Sequence, residues 1–231
     1  MKIKNDILSC RTCVYRQLLF KDLNDFEYKL VNDERTEMLF RRGEVIKKEG
    51  EPVDSFLYLR KGLVKLYKTD SNGKDHILSI NRPGDFISLL SIFSEEAYKF
   101  SIAALEETLV CNVKLDVLKH LISTNGNLSL HLFKKMSQIS DEIIENQFEQ
   151  AQKQVKGRVA HLLLYFANHV YHKNEFLLPL TRREMGELIS ITTENTIRTF
   201  SEFRKDGIID QNGKTIKIVD YDRLLAINKG G

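Results

Sequence analysis

Five glycines divide the chain between Phe40 and Val113 into short segments, and their spacing constrains the fold more than any other feature. They lie 7–12 residues apart, at Gly43, Gly50, Gly62, Gly73 and Gly84. The segments around them are rich in β-branched, aromatic and other apolar residues: SFLYL, LVKLYK, HILSI, SIAAL and LVCNV. Turn residues at such intervals predict an all-β sandwich or roll. Asn72-Gly73 predicts a hairpin turn, because both residues tolerate positive φ.

From about Leu115 the apolar residues recur with helical spacing. LDVLKHLI predicts a short helix that breaks near Gly126, and a long helix is expected from Leu128 to about Gln154. The apolar residues of the long helix follow a 3–4 spacing, which predicts a seam that packs on its own domain, on a partner chain, or on both. Leu132, Met136, Ile139 and Ile143 lie along this seam, and they would form the dimer contact if a partner chain packs there.

The last third of the chain has the element order of a winged helix-turn-helix. After the amphipathic segment RVAHLLLYFANHVY, Thr181 and Glu184 form a capping-box pattern at the start of a short helix. Thr192 is the expected N-cap of a second helix over 193–205, which ends at Gly207. Two short strands around Asn212-Gly213 complete the motif. The predicted domains are 1–127, 128–154 and 155–231.

One side of the second helix carries polar side chains without an apolar stripe. The residues predicted to face outward are Thr193, Glu194, Ile197 and Arg198. Arg can bind O6 and N7 of guanine, Glu can accept from the N4 amino group of cytosine, and Ile can contact a thymine methyl group. We therefore predict that this side reads bases in the major groove of DNA. The alternative is an ordinary surface with an i,i+4 ion pair between Glu194 and Arg198.

A second set of residues is predicted to contact DNA phosphates, which fixes register without reading sequence. These residues are Thr181, Arg182, Thr192 and Lys214. Residues 1–155 hold 23 Lys and Arg and 23 Asp and Glu, whereas residues 156–231 hold 12 and 9. The whole net charge of +3 therefore lies in the C-terminal third. Such an excess fits a nucleic-acid partner, and it fits an ordinary surface as well.

The combination of motifs resembles the CRP/FNR family of bacterial transcription regulators over nearly the full length. The motifs are LTRREMGELISITTENTIRTFSEFRKDGII…NGKTIKI, VKGRVAHLLL, RPGDFI and RRGEVIKKEGEPVDSFLYLRKGLVKLYK. The resemblance implies an α+β chain with an N-terminal jelly-roll-like β-roll sensor domain, a long dimerisation helix and a C-terminal winged helix-turn-helix. It also implies a homodimer that binds double-stranded DNA and contacts RNA polymerase. Glu194 and Arg198 correspond to the family's base-reading Glu and Arg, whereas Thr193 stands where Arg or Val is common.

The resemblance further implies an effector pocket in the β-roll. The corresponding residues are Gly84, Phe86, Ser88, Leu89, Phe100, Ser101, Ile143 and Ile144. Ser88-Leu89 replaces the family's ribose-binding Gly-Glu pair, and Phe100-Ser101 replaces its phosphate-binding Arg-Ser pair. Phe100 cannot supply the cation that a phosphodiester needs, and two isoleucines replace the hydroxyl side chains that contact adenine. These losses argue against cyclic AMP, so that the effector is unknown and another small molecule is the alternative.

The three cysteines suggest a redox signal. Cys10 and Cys13 form a C-x-x-C, and Cys111 lies in LEETLVCNV, which is similar to a strand of the family's iron–sulfur branch. A cubane cluster takes four thiolates, and Leu19 stands in the region of the additional N-terminal Cys. A cluster on Cys10, Cys13 and Cys111 that senses oxygen or redox state is therefore one hypothesis. The other is that Cys111 is a small buried apolar residue on a strand.

Composition and motifs exclude several other classes. Hydrophobic residues make up 42% and charged residues 29%, which predicts a packed soluble fold. The sequence contains no run of about 18 apolar residues, which a membrane span would need. No signal-peptide core is visible either, and we therefore expect a cytoplasmic protein. An enzyme is not expected, because the chain has no P-loop, nucleophile motif or H-x-H in the β region. A ligand-binding regulatory module without DNA binding is the remaining alternative.

Overall fold

The structure is a computed structural model that describes residues 2–3, 20–94 and 96–230. Cys10, Cys13 and Leu19 lie outside the described residues. The chain forms two compact units, one made of Met1–Thr69 and Leu78–Asp141 and the other of Asp70–Ile77 and Glu142–Gly231. Among the helices of the described part, none is long and apolar enough to cross a membrane.

The strands before residue 115 form two four-stranded sheets, with strand orders β1-β2-β8-β4 and β3-β7-β5-β6. The strands are β1 Lys2–Ile3, β2 Arg35–Phe40, β3 Val45–Lys47, β4 Ser55–Lys61, β5 Val64–Thr69, β6 Asp75–Asn81, β7 Ser101–Ala104 and β8 Thr108–Lys114. The five predicted β-rich segments lie in β4 to β8, so that the β-roll prediction is confirmed. Strands β1, β2 and β3 were not predicted.

The predicted hairpin at Asn72-Gly73 joins β5 to β6. Asp70 Oδ1 accepts hydrogen bonds from the backbone N–H groups of Asn72 and Lys74 at 2.8 and 3.0 Å. Gly73 has a φ of +76°, which is the left-handed conformation that the turn requires and that glycine adopts without strain. The Asp70 side chain and the glycine together fix the turn.

Helices cover one face of the first sheet. They are α1 Asp25–Asp33, α2 Leu89–Ile92, α3 Leu115–Thr124 and the long helix α4 Gly126–Gln152. Side chains of β4 alternate between the two faces of the sheet. Leu57 and Leu59 belong to the apolar cluster between the sheets, whereas Phe56 and Tyr58 belong to the cluster beneath the helices.

Helix α4 has two apolar sides. Leu128 and Leu132 are 1% and 4% exposed in the cluster beneath the helices, and Met136 and Ile139 pack against that cluster. At 3.6 residues per turn, Ile143 falls on the same side. The opposite side carries Leu130, Phe133, Ile144 and Phe148, which are 69%, 63%, 66% and 62% exposed.

Most of the residues predicted for the dimer contact lie on the buried side of α4, and their contact with a partner chain stays a prediction. Leu132, Met136 and Ile139 pack within their own unit, because the sheet and helices α1 and α3 supply apolar partners on that side. Ile143 is half-buried. The apolar surface that α4 leaves exposed is therefore the opposite side of the helix.

The second unit contains the winged helix-turn-helix. Its elements are α5 Val155–Tyr165, a π-helical segment Phe166–Tyr171, β9 Glu175–Leu177, α6 Arg182–Leu188, α7 Thr193–Lys205, β10 Ile209–Asn212, β11 Thr215–Ile218 and α8 Tyr221–Gly230. The order of α6, α7 and the β10-β11 hairpin is the predicted one, and Asn212 pairs with Thr215 across the turn. Strand β9 extends this sheet in the order β10-β11-β9; neither β9 nor α8 was predicted.

Candidate nucleic-acid interface

A capping box begins helix α6, as predicted. The Thr181 hydroxyl oxygen accepts from the Glu184 backbone N–H at 3.1 Å, and the Thr181 backbone N–H donates to Glu184 Oε2 at 2.9 Å. Two of the backbone donors that a helix start leaves without partners are thereby satisfied. Local sequence alone therefore fixes where α6 begins.

The turn between α6 and α7 is tight. A Cβ on Gly186 would lie 2.7 Å from the backbone oxygen of Ile191 and 3.3 Å from Thr196 Oγ1. The Ile191 backbone N–H donates to the Gly186 carbonyl at 3.0 Å. Ser190 takes a φ of +55° in this turn, a conformation that is rare for residues other than glycine. The two helices therefore touch through backbone, and their angle is set by this contact.

Helix α7 begins at the predicted N-cap, where the Thr192 hydroxyl oxygen accepts from the Asn195 backbone N–H at 3.2 Å. The helix ends at Lys205, and Gly207 follows with a φ of +70°. The side predicted to pack inward is buried, with Thr196, Thr199, Phe200 and Phe203 all at 2% exposure or less.

The predicted base-reading residues lie together on the other side of α7. Glu194 and Arg198 are exposed, Thr193 is half-buried, and Ile197 is 49% exposed. Two turns of the helix therefore expose a carboxylate, a guanidinium and an apolar group on the side opposite its buried residues. Such a set can accept from cytosine, donate to guanine and contact a thymine methyl group.

Arg198 bonds along its own helix and not to Glu194. Its Nη2 donates to Asn195 Oδ1 at 3.0 Å, and its Nε lies 3.9 Å from Glu202 Oε1. Glu202 is also paired with Lys156 at 2.8 Å. The structure therefore does not contain the surface ion pair that was the alternative interpretation of Glu194 and Arg198. Asn195 was missed by the sequence analysis, although an amide three residues before an Arg on a helix is a pairing signal.

Glu194 is a carboxylate near neutral pH. Its own backbone N–H lowers its pKa, and the Thr192 hydroxyl lowers it further. Both groups belong to the N-terminus of α7, where the helix dipole also favours negative charge. Glu194 therefore presents acceptor oxygens, which suits a cytosine amino group and repels phosphate.

The four residues predicted to contact phosphates have different surroundings. Thr181 and Thr192 use their hydroxyl oxygens as helix caps, and Lys214 is exposed in the hairpin between β10 and β11. Arg182 is half-buried, with its guanidinium 3.6 Å from the centre of the Phe200 ring.

Arg182 connects three elements of the domain. It starts α6, stacks on Phe200 of α7 and donates to Gln211 Oε1 of β10 at 2.6 Å. Burial lowers its pKa to about 10, so that it stays charged at neutral pH. These contacts hold α7 and the hairpin in place, and a contact from Arg182 to phosphate stays a prediction.

One small cavity in the β-roll includes two of the residues predicted for the effector pocket. A cavity of about 20 Å³ is lined by Leu66, Ser79, Asn81, Phe86, Ile87, Leu90, Ser91, Phe100 and Ile139. A cavity needs about 10–15 Å³ to hold one water molecule. Two predicted residues, Phe86 and Phe100, line it, and none of the lining residues is cationic. A cyclic nucleotide does not fit these residues, because its phosphodiester would meet apolar groups.

The other predicted pocket residues support the strands or lie elsewhere. The segment from Gly84 to Ser88 runs along the edge of β4, where the Ser88 hydroxyl oxygen accepts from the Leu57 backbone N–H at 2.8 Å. Ser101 Oγ accepts from the Glu49 backbone N–H at 3.0 Å. Leu89 is 1% exposed, and Ile143 and Ile144 do not line the cavity. These other predicted residues do not line that cavity, and their part in an effector pocket stays a prediction.

Cys111 lies on the face of β8 that the helices cover and is 5% exposed. Burial raises the pKa of its thiol to about 11, so that the thiol is protonated at neutral pH. Arg35 Nη1 lies 3.6 Å from its Sγ and also binds Glu37 Oε1 at 2.9 Å. Within the described ranges, no group of three His, Cys, Asp or Glu residues could hold a metal ion. Cys111 is thus a buried, protonated thiol in this structure, and its part in a cluster with Cys10 and Cys13 stays a prediction.

Comparisons with known proteins agree with this architecture. The family described as the cyclic nucleotide-binding domain matches residues 37–125, and the Crp-like helix-turn-helix domain matches residues 157–227. Electron transport regulator A of Shewanella oneidensis is 30% identical over 188 residues, which are 80% of this chain and 75% of that protein. The fumarate and nitrate reduction regulatory protein of Salmonella typhimurium is 27% identical over 226 residues, 95% of this chain and 90% of that protein.

A solved structure shows the same fold. FixK2 from Bradyrhizobium japonicum superimposes with a TM-score of 0.78 at 24% identity, covering 85% of this chain and 98% of that chain. The match to a helix-turn-helix family disfavours the alternative of a regulatory module without DNA binding. Both domains match, and the chain covers 75% of a relative to which it is 30% identical. The chain therefore belongs to the CRP/FNR family of transcription regulators.

Proposed function

We propose that this protein is a homodimeric transcription regulator that reads DNA sequence with Thr193, Glu194, Ile197 and Arg198 of α7. The observation that carries the proposal is the outward side of α7, where charged and apolar side chains are exposed opposite the buried side of the helix. A recognition helix places its first turns against base edges. In DNA, the Arg198 guanidinium would exchange its bonds to Asn195 and Glu202 for the acceptors of guanine. Phosphate contacts from Thr181, Arg182, Thr192 and Lys214 stay predictions.

The exposed apolar side of α4 is the surface on which two subunits would pair. Leu130, Phe133, Ile144 and Phe148 are all more than 60% exposed, and they follow one side of a continuous 27-residue helix. Burying each such side chain contributes about 1.5–3 kcal/mol. Two helices that meet along this side would therefore form a stable dimer and fix the distance between the recognition helices.

The regulated step in this proposal is the spacing of the two α7 helices. Half-sites one helical turn apart fit only one arrangement of the dimer. An input to the β-roll that favours this arrangement needs a coupling free energy of about 1–3 kcal/mol. Contact with RNA polymerase and a cytoplasmic location stay predictions, as does the absence of catalysis.

The input itself has one specific candidate. A redox signal through Cys10, Cys13 and Cys111 is supported by the similarity of the LEETLVCNV segment around Cys111 to a strand of the family's iron–sulfur branch. Purification without oxygen, followed by iron analysis, decides this: stoichiometric iron that is lost in Cys111→Ala would establish the cluster. A protein without iron would favour an organic effector or no effector at all.

Base reading is tested by selecting duplexes from a random library with the full-length protein. Glu194→Ala should lose discrimination at one position of each half-site by about tenfold or more, while salt-dependent binding to unrelated duplex persists. Asp222→Ala is the matched control, because Asp222 is also an exposed acidic residue in the first turn of a helix. An unchanged preference in Glu194→Ala would remove Glu194 from the reading surface.

The dimer surface is tested by the mass of the protein in solution. Phe148→Asp should shift the full-length protein from dimer to monomer at micromolar concentration, because a charge would be buried in an apolar contact. Phe26→Asp is the control, since Phe26 is 69% exposed on α1. A Phe148→Asp protein that stays dimeric would show that another surface pairs the subunits.

A further inference from the structure

The end of α6 is bound by side chains from α4 and α5. Leu188, Ile189 and Ser190 are consecutive at this end, and the carbonyl group of each accepts a side-chain hydrogen bond. The last carbonyls of a helix lack donors within the helix. All three donors come from outside the helix-turn-helix itself, which makes this turn a place where other elements can control its position.

Arg158 of α5 supplies two of these bonds. Its Nη1 lies 3.3 Å from the Ile189 carbonyl oxygen and 3.1 Å from that of Ser190. Its Nε donates to the carbonyl of Lys153 at 2.9 Å. Lys153 and Gln154 are the two non-helical residues between α4 and α5. One rigid guanidinium therefore ties the break between these helices to the turn of the helix-turn-helix.

Gln150 supplies the third bond and comes from the last turns of α4. Its Nε2 donates to the Leu188 carbonyl at 3.2 Å, and its Oε1 accepts from the Ser190 hydroxyl at 3.4 Å. The Lys153 ammonium also donates to the Asn228 carbonyl of α8 at 2.8 Å. The end of α4 and the break after it are thus bonded to both the turn and the last helix.

The electrostatics favour Arg at this position. The C-terminal end of a helix carries partial negative charge, which a cation stabilises. Ser190 holds a φ of +55°, and such a conformation persists only where the surroundings fix it. The bonds from Arg158 and Gln150 to the Ser190 carbonyl and hydroxyl are part of those surroundings. A lysine would keep the charge but could not spread its donors over carbonyls on both sides.

We propose that Arg158 and Gln150 form a latch that transmits the position of the end of α4 to the helix-turn-helix turn and so fixes the orientation of α7. Both are positioning residues, and neither needs to touch DNA. The proposal rests on the proposed function, in which α4 pairs two subunits and α7 reads bases. It adds the connection between these two surfaces.

The test compares binding to palindromes of different spacing. The palindrome is first selected with the full-length wild-type protein, and duplexes with one base pair inserted or deleted at its centre are then compared. Each inserted pair turns one half-site by about 35°, so that wild-type protein should bind the altered duplexes about tenfold more weakly or worse. Arg158→Met keeps the aliphatic stem and removes the donors. It should weaken binding to the selected palindrome by about tenfold. The loss of affinity caused by one inserted or deleted base pair, the spacing penalty, should fall to about threefold or less.

Three further variants separate a latch from general stabilisation. Gln150→Leu should act in the same direction as Arg158→Met, and the double variant should be little worse than either single one, because the bonds act as a unit. Arg158→Lys should restore part of the spacing penalty. Lys173→Met removes one positive charge from an exposed loop of the same unit and should leave the penalty unchanged.

The outcomes distinguish the latch from the function on which it rests. Variants that lose thermal stability but keep the wild-type spacing penalty would refute the latch and leave Arg158 and Gln150 as stabilising residues. If Arg158→Met does not fold, Gln150→Leu alone carries the same comparison. A wild-type protein that selects no palindrome would overturn the proposed function and the latch together, whereas normal half-site preference with an unchanged penalty would overturn the latch alone.

Discussion

The interior of the β-roll and the outward side of α7 are the two places where the sequence predicted function, and they differ in what their polar groups do. In the β-roll, the hydroxyl oxygens of Ser88 and Ser101 accept hydrogen bonds from backbone N–H groups of neighbouring segments. On α7, Glu194 and Arg198 are exposed and bond only to groups of their own helix or its cap. The β-roll positions are therefore committed to the fold, whereas the α7 positions are available to a partner.

This difference shows when a family motif can be transferred to a new chain. An exposed residue on a helix keeps its direction when its surroundings change, because the helix alone sets that direction. A residue in a concave site depends on every neighbour that lines the site. Phe100 in place of a cation changes the chemistry of the cavity that it lines, which has a volume of about 20 Å³.

The largest expected effect tests whether the outward side of α7 depends on close packing beneath it. Gly186→Ala would place a Cβ 2.7 Å from a backbone oxygen of the turn, and backbone cannot move aside as a side chain can. We expect the variant to lose about 2–3 kcal/mol of stability and most sequence-specific DNA binding. Thermal unfolding and binding to the selected palindrome measure the two effects.

The matched control for this change is Gly126→Ala at the start of α4. No atom lies within 4 Å of a Cβ at this position, and alanine favours a helix over glycine by up to about 1 kcal/mol. Stability should therefore be unchanged or slightly higher. Full DNA binding by Gly186→Ala would show that the angle between α6 and α7 is not set by their backbone contact.

The second prediction concerns the committed polar groups of the β-roll. Ser88→Ala should lower stability by about 1–3 kcal/mol, because the buried N–H of Leu57 loses the acceptor that now satisfies it. Binding to the selected palindrome, measured at a temperature where the fold is intact, should not change. The difference between the two readouts separates a role in the fold from a role in function.

Ser123→Ala is the control, since the Ser123 hydroxyl donates to a helix carbonyl at an exposed position. Its cost should stay within about 0.5 kcal/mol. If Ser88→Ala were as mild as this control, the hydroxyl would not be needed at the edge of β4. Ser88 would then be open to a ligand after all, and the contrast between the two regions would weaken.

Local signals explain which parts of the fold were predictable. The bounds of α7 were predicted as found, because Thr192 and Gly207 are caps that lie in the sequence itself. Strand β9 was missed, because its three residues become a strand only by pairing with β11. The two apolar sides of α4 look alike in sequence, and only the fold decides that Leu132 is buried while Phe133 is exposed.

The candidate site divides in the same way. Glu194, Ile197 and Arg198 were predicted on the outward side of α7, where the structure places them. Arg182 was predicted on the surface, yet Phe200 and Gln211, which hold it, are 18 and 29 residues away in the chain. Arg158 and Gln150 were not predicted at all, because their acceptors are carbonyl groups, which leave no trace in a sequence.

The smallest expected effect concerns Ser190, the strained residue in the turn between α6 and α7. Glycine at this position would relieve the cost of a φ of +55°, which is about 1–2 kcal/mol for the left-handed conformation. It would also give the unfolded chain more freedom, at a cost of about 0.4–1 kcal/mol, and remove the 3.4 Å hydroxyl bond to Gln150. We therefore expect Ser190→Gly to raise stability by less than about 1 kcal/mol.

Ser201→Gly in the exposed face of α7 is the matched change with the opposite sign. Ser201 is helical and exposed, so that glycine there gives no relief of strain and should cost about 0.5 kcal/mol or more of helix stability. Chemical denaturation of both variants beside wild type measures the difference. If Ser190→Gly destabilises the protein as Ser201→Gly does, the bond from Ser190 to Gln150 outweighs the backbone strain. The turn would then be held by the Ser190 side chain as well as by the backbone carbonyls that Arg158 and Gln150 bind. That result would strengthen the contrast between this turn, which other helices hold, and the exposed polar side of α7.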